Sequence, residues 1–219
     1  MASKRHQELY VLRGVTIIAM VCYHAMLVDQ FIRTGSFTGN QAAYPIALTF
    51  MFLSGVSISL VESKEQKAKR RAYRRTMFRL ILCSWIITLV TLLVLPDYVI
   101  MFGILHLILF SYVVFFVKEI SNSRYAHIVL IGMVFLLDYI RVTYIMSPTA
   151  LDYTPIFPFF LVVLVGYFMG REHYGKGQHY DIFRDSPPIR FLAITGRYSL
   201  PIYIIHIPIL YFLLGGSIS

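Results

Sequence analysis

The chain has 219 residues, of which 58% are hydrophobic and only 14% charged, and its formal net charge is +9. So apolar a composition excludes a typical water-soluble domain, and continuous apolar runs exclude a transmembrane barrel, whose strands alternate with period two. In a soluble protein the basic excess would point to nucleic acid; here it reads as loop charge on one membrane face, and no nucleic-acid partner is expected.

Crossing the hydrocarbon core as helix takes about 20 mostly apolar residues. Such runs occur at roughly Tyr10–Phe31, Ala43–Val61, Met77–Leu95, Tyr98–Val117, Tyr125–Met146, Pro155–Gly170 and Phe191–Gly215, the sixth being short. The expected fold is an all-α, polytopic transmembrane bundle of about seven spans, a single domain over residues 1–219. Lys4 and Arg5 give the start a signal-peptide look, but the run from Val11 to Val28 is too long and lacks a convincing cleavage site. Cys22 and Cys83 fall in different spans and are expected as free thiols.

Span one carries Arg13 and His24, 11 residues apart. That is about three turns, which puts both on one face some 16 Å apart along the axis. Arg13 is either functional or a side chain snorkelling at a helix end; His24 is either a titratable base or a packing histidine. Asp29 stands near the far end of the same span, as a substrate contact or an interfacial residue.

Between spans two and three, and into span three, lie Lys64, Lys67, Lys69, Arg70, Arg71, Arg74, Arg75 and Arg79. Ser63–Arg75 reads as helical and suited to lie along an anionic leaflet. Lys118, Arg124, Arg171, Lys176, Arg184, Arg190 and Arg197 return to that side, with Lys4, Arg5 and Arg13; only Arg33 and Arg141 lie towards the other. The positive-inside rule then predicts a cytosolic amino terminus and, after seven crossings, an outer carboxyl terminus.

Ionisable groups at membrane depth cost roughly 2.5–3.5 kcal/mol each on insertion scales, which makes them functional candidates. Counted from the span ends, His24 lies about 10 Å deep, His106 and Asp138 about 12 Å and His206 about 14 Å, a shared layer in the outer half. Asp138 and Arg141, three residues apart, also have a simpler reading as a pair on span five. Pro201 and Pro208 bracket His206 and free backbone carbonyls, as a cavity border or as a tolerated kink. No lysine lies within a span, so a retinal Schiff base has no attachment point. The usual serine-hydrolase, zinc-protease and P-loop motifs are absent from the sequence.

These residues resemble the transmembrane acyltransferase superfamily, and in particular the heparan-alpha-glucosaminide N-acetyltransferase catalytic domain and its small prokaryotic relatives. The matching blocks are Leu12-Arg13-Gly14 with His24, Phe52-Leu53-Ser54-Gly55, and Phe102-Gly103-Ile104-Leu105-His106. The last is Gly196-Arg197-Tyr198-Ser199-Leu200-Pro201-Ile202-Tyr203, followed by His206 and Pro208. The chain departs from the family pattern at Tyr10, where an acidic residue is common, and at Phe159, where a Trp usually follows the proline.

The resemblance implies a membrane enzyme, in a prokaryotic cell membrane, that moves an acyl group, usually acetyl, from cytosolic acyl-CoA to an acceptor on the far side. Arg13, Arg79 and Arg197, then Arg71, Arg74 and Arg75, are the candidates for the nucleotide phosphates, which guanidinium binds by forked hydrogen bonds. An extended pantetheine arm is on the order of 15–20 Å, comparable with the helix rise from Arg13 to His24. His24 would act as base, with His106 or His206 orienting the acceptor or donating to the oxyanion, and Tyr203, Ser199, Asp29 and Asp138 as further substrate contacts. An acyl-histidine intermediate stays open. Cys22 is disfavoured as nucleophile, since it points about 160° away from His24 around the helix. The acceptor is a hydroxyl or amine of a glycan, a lipid-linked sugar or a small amine; no metal is expected, and family likeness makes a homodimer plausible. The rival readings are a transporter or flippase using the polar layer and a haem protein using two of the three histidines.

Overall fold

The computed structural model describes residues 6–35, 43–94, 100, 103–120, 132, 136, 139, 156–174, 183 and 186–214. Helix is the only regular structure among them. α1 (Gln7–Thr34) has 28 residues, about 42 Å of rise against a hydrocarbon core of about 30 Å. It ends where Gly35 adopts the left-handed conformation at φ 68°, at no steric cost to glycine, and returns its N–H to the Phe31 carbonyl at 2.8 Å.

α2 (Ala43–Glu62) and α3 (Gln66–Val94) are joined by the turn at Ser63–Glu65, whose first two N–H groups return to the Ser59 and Val61 carbonyls. The basic stretch and the third apolar run form one unbroken helix of 29 residues, about 44 Å long. No Gly or Pro interrupts Gln66–Val94, so the basic part continues the axis of the span instead of forming a separate surface helix. α4 (Ile104–Ile120) starts later than the apolar run, since Ile100 and Gly103 are not helical.

In the fifth apolar run the described residues are Gly132, Leu136 and Tyr139, which are helical and exposed. At spacings of four and three they share one outward face. Asp138 and Arg141 lie outside the described residues. α5 (Ile156–Tyr174) has 19 residues, longer than the short run predicted for it.

The last apolar run is two helices, not one: α6 (Pro187–Arg197) and α7 (Ser199–Leu213), broken at Tyr198. Pro201 explains the position of the break. It is the third residue of α7, where a missing N–H costs least, because the first turn of a helix has no carbonyl to bond. In an uninterrupted helix the same proline would have orphaned the Arg197 carbonyl.

α1, α2, α3 and α5 are long and apolar enough to cross a membrane, whereas α4 and α7 are shorter apolar helices. The chain packs as two compact units, Met1–Leu53 with Gly177–Ser219 and Ser54–Lys176. In the first, α1 packs on α6 and α7; in the second, α4 packs between α3 and α5. The second unit has an aromatic core in which the buried Tyr73 ring meets Tyr112 and Phe116, and Phe115 meets Tyr167 at 4.5 Å. The end of α2 lies close on α5. A methyl on Gly55 would strike the Val163 carbonyl and one on Gly170 the Ser59 side chain, while the Tyr167 hydroxyl donates to Glu62. Small residues at such crossings let membrane helices approach backbone to backbone.

Candidate active site

Two glycines build the site in the first unit. A Cβ on Gly14 would collide with the Leu192 carbonyl, whose carbon would be 2.8 Å away. A Cβ on Gly196 would collide with the Tyr10 carbonyl and stand 2.8 Å from the Gly14 nitrogen. α1 and α6 therefore cross with no side chain between them. The neighbours of those glycines are Arg13, half-exposed, and Arg197, exposed. The crossing thus draws two guanidinium-bearing residues to one end of α1. Gly14→Ala and Gly196→Ala should each cost at least the roughly 1–3 kcal/mol of overpacking, because the obstacle is backbone and cannot rotate away. Thermal unfolding of both variants checks this, and unchanged melting in either would refute the close crossing.

About 16 Å along α1 from Arg13, His24 meets His206 of α7. His206 is only 5% exposed. Its Nε2 lies 3.1 Å from His24 Nδ1, the ring centroids are 4.8 Å apart, and its Nδ1 lies 2.7 Å from the Tyr203 carbonyl. That carbonyl can only accept, so His206 Nδ1 carries the proton. In a neutral ring His206 Nε2 is then an acceptor, and His24 must donate to it from Nδ1. The Met20 carbonyl, one turn back, is a second acceptor for His24, consistent with a proton on the ring nitrogen nearer the backbone. The chain of donors leaves the His24 Nε2 lone pair outside the pair and fixed in orientation.

His106 belongs to the second unit and is held differently. It sits in the first turn of α4, where its Nδ1 accepts the Gly103 N–H at 3.2 Å, so the ring proton is on Nε2, 3.4 Å from the Thr88 hydroxyl oxygen. Thr88 donates to the Ile100 carbonyl at 2.8 Å, and Ile100 N–H donates to the Thr91 hydroxyl at 3.1 Å. Both nitrogens of His106 are committed to capping α4 and clasping the segment before it, in the manner of a capping box. Arg71, Arg74, Arg75 and Arg79 are exposed on α3, within about 140° of arc at 100° per residue.

Of the remaining candidates, Asp29 pairs with Arg33 at 3.0 Å in an exposed i,i+4 bridge. Ser199 opens α7, half-buried, two turns before His206. Tyr203 contributes its backbone carbonyl to His206, and its ring centroid is 5.8 Å from the imidazole. Cys22 and Cys83 are free thiols, the first exposed and the second buried. Among the described residues no three His, Cys, Asp or Glu side chains form a group that could hold a metal ion. In the sequence Gly14 and Gly196 stand only as members of the matching blocks, with no role of their own, and neither Thr88 nor the backbone carbonyl of Tyr203 carries a signal. The mirrored Arg-Gly and Gly-Arg pairs were the available signal for the first two.

Four helices long and apolar enough to cross a membrane, with helix the only regular structure among the described residues, define an integral membrane protein of all-helical architecture. Residues 5–208 match the family described as heparan-alpha-glucosaminide N-acetyltransferase, catalytic. The chain belongs to that family of membrane acetyltransferases, and the match takes in every block from Leu12-Arg13-Gly14 to His206. No curated protein and no solved structure matches the chain.

Proposed function

We propose that the protein transfers an acetyl group from cytosolic acetyl-CoA to a hydroxyl or amine acceptor, a sugar or a small amine, presented from the outer side. The observation that carries this reading is the His206–His24 hydrogen bond. It supports a role for His24 Nε2 as general base, held in one tautomer by His206 as His206 is held by the Tyr203 carbonyl. The acceptor's oxygen or nitrogen attacks the thioester carbonyl while its proton passes to His24 Nε2. The tetrahedral intermediate collapses with cleavage of the C–S bond, and the proton leaves with the CoA thiol. Arg13 and Arg197, gathered by the α1–α6 crossing, hold the phosphates at the cytosolic end. His24 then lies one pantetheine length away on the same helix.

Orientation follows from the charge bias, with the amino terminus in the cytosol. The test uses inside-out membrane vesicles, with acetyl-CoA outside and candidate acceptors enclosed. CoA thiol should be released with at least one of an amino sugar, a neutral sugar and a lipid-linked sugar, and released only when that acceptor is enclosed. Thiol release with none of them, alongside solute uptake that needs no acetyl-CoA, would replace this reading with a transporter.

A further inference from the structure

α6 has two faces of opposite use. Leu192 and Gly196 are turned to α1. Phe191, Ile194 and Tyr198, spaced three and four residues apart along α6 and its C-cap, are 62%, 59% and 57% exposed. They form one apolar stripe. Arg190 and Arg197, both exposed, flank it on one edge, seven residues apart and so nearly in register. With 11 residues, α6 is only about 16 Å long, half of what spanning requires. Its crossing point, at Tyr10–Gly14, lies in the first third of α1.

We propose that α6 is an interfacial helix, lying in the leaflet at the amino-terminal end of α1, with Phe191, Ile194 and Tyr198 in the headgroup–acyl boundary and Arg190 on anionic lipid phosphates. A short amphipathic helix with an arginine-edged apolar face has the character of a membrane-surface element, which buries that face about 5–10 Å below the headgroups. Charge complementarity selects the occupant: an apolar strip edged by guanidinium groups matches acyl chains topped by phosphates, whereas a second protein surface would have to supply both. The placement also sets the depth of Gly196, and through it the crossing beside Arg13. It assigns a surface to α6 whether or not the protein transfers acetyl groups, so its test is independent of turnover.

The experiment places a fluorophore at Ile194→Cys, and in parallel at Phe191→Cys, on a background of Cys22→Ser and Cys83→Ala. The full chain is reconstituted in vesicles of phosphatidylethanolamine and phosphatidylglycerol. Spin-labelled phosphatidylglycerol should quench both probes more strongly than equally spin-labelled phosphatidylcholine, with aqueous iodide quenching weakly. Arg190→Gln should abolish the excess of the first lipid over the second while lipid quenching itself persists. Iodide quenching as strong as for a free dye would show a water-exposed face and overturn the proposal. Shielding from both lipid and iodide would assign the stripe to a second copy and overturn it equally. Equal quenching by the two lipids in the parent chain would reject the anionic selectivity.

Discussion

His24→Ala is expected to lower acetyl transfer by about 10²–10⁴-fold, the usual contribution of a positioned general base, while acetyl-CoA affinity stays nearly unchanged. The reason is axial separation: Arg13 and His24 are 11 residues apart on one unbroken helix. Removing the imidazole therefore leaves the phosphate end about 16 Å away undisturbed. His206→Ala should cost less, because it removes only the acceptor that holds His24 in one tautomer; the base remains but samples other orientations. Single-turnover kinetics with binding measured separately distinguishes the two variants. Near-normal turnover in His24→Ala would reject it as the base, and a His206 variant more damaging than the His24 variant would reverse the assigned roles.

Acetyl-CoA at about 100 times its dissociation constant should raise the unfolding free energy of the purified protein by about 2.7 kcal/mol. Arg13→Ala should remove about half or more of that protection. A hydrogen bond to a charged group is worth about 1.5–3 kcal/mol, so its loss weakens binding about 10- to 100-fold at 1.4 kcal/mol per tenfold. At the same ligand concentration about 0.4–1.4 kcal/mol of protection would survive. Arg33→Ala is the matched control, since Arg33 stands at the other end of α1 in an exposed pair with Asp29, and its loss should leave the protection intact. Thermal unfolding with and without ligand decides the matter. Full protection in Arg13→Ala, or none in the parent protein, would remove the phosphate role from this end of α1.

The layer of histidines shows how far axial counting reaches. Depths counted from the apolar runs place His24, His106 and His206 together. The structure pairs His24 with His206, while His106 occupies the first turn of α4. The start of α4 is a separate, local matter. Hydropathy begins at Tyr98, but the helix begins at Ile104, where Gly103 and His106 cap it; an apolar run marks what lipid tolerates, not where backbone hydrogen bonding starts. The seventh run behaves alike: it is continuous in hydropathy, and nothing there marks the break at Tyr198 that Pro201 favours. The fourfold and threefold spacings of exposed residues on α6 were equally visible in the sequence. Without the crossing at Gly196 they could not be told from one side of a spanning helix.

Composition and chain order alone establish a helical membrane protein and the axial distance from Arg13 to His24, because rise along a helix is fixed by covalent geometry. Lateral neighbours are another matter. Which imidazole meets which, and which arginines share an end of α1, depend on contacts between residues distant in the chain. At Gly14 and Gly196 those contacts exist only because the absence of two methyl groups lets one backbone rest on another.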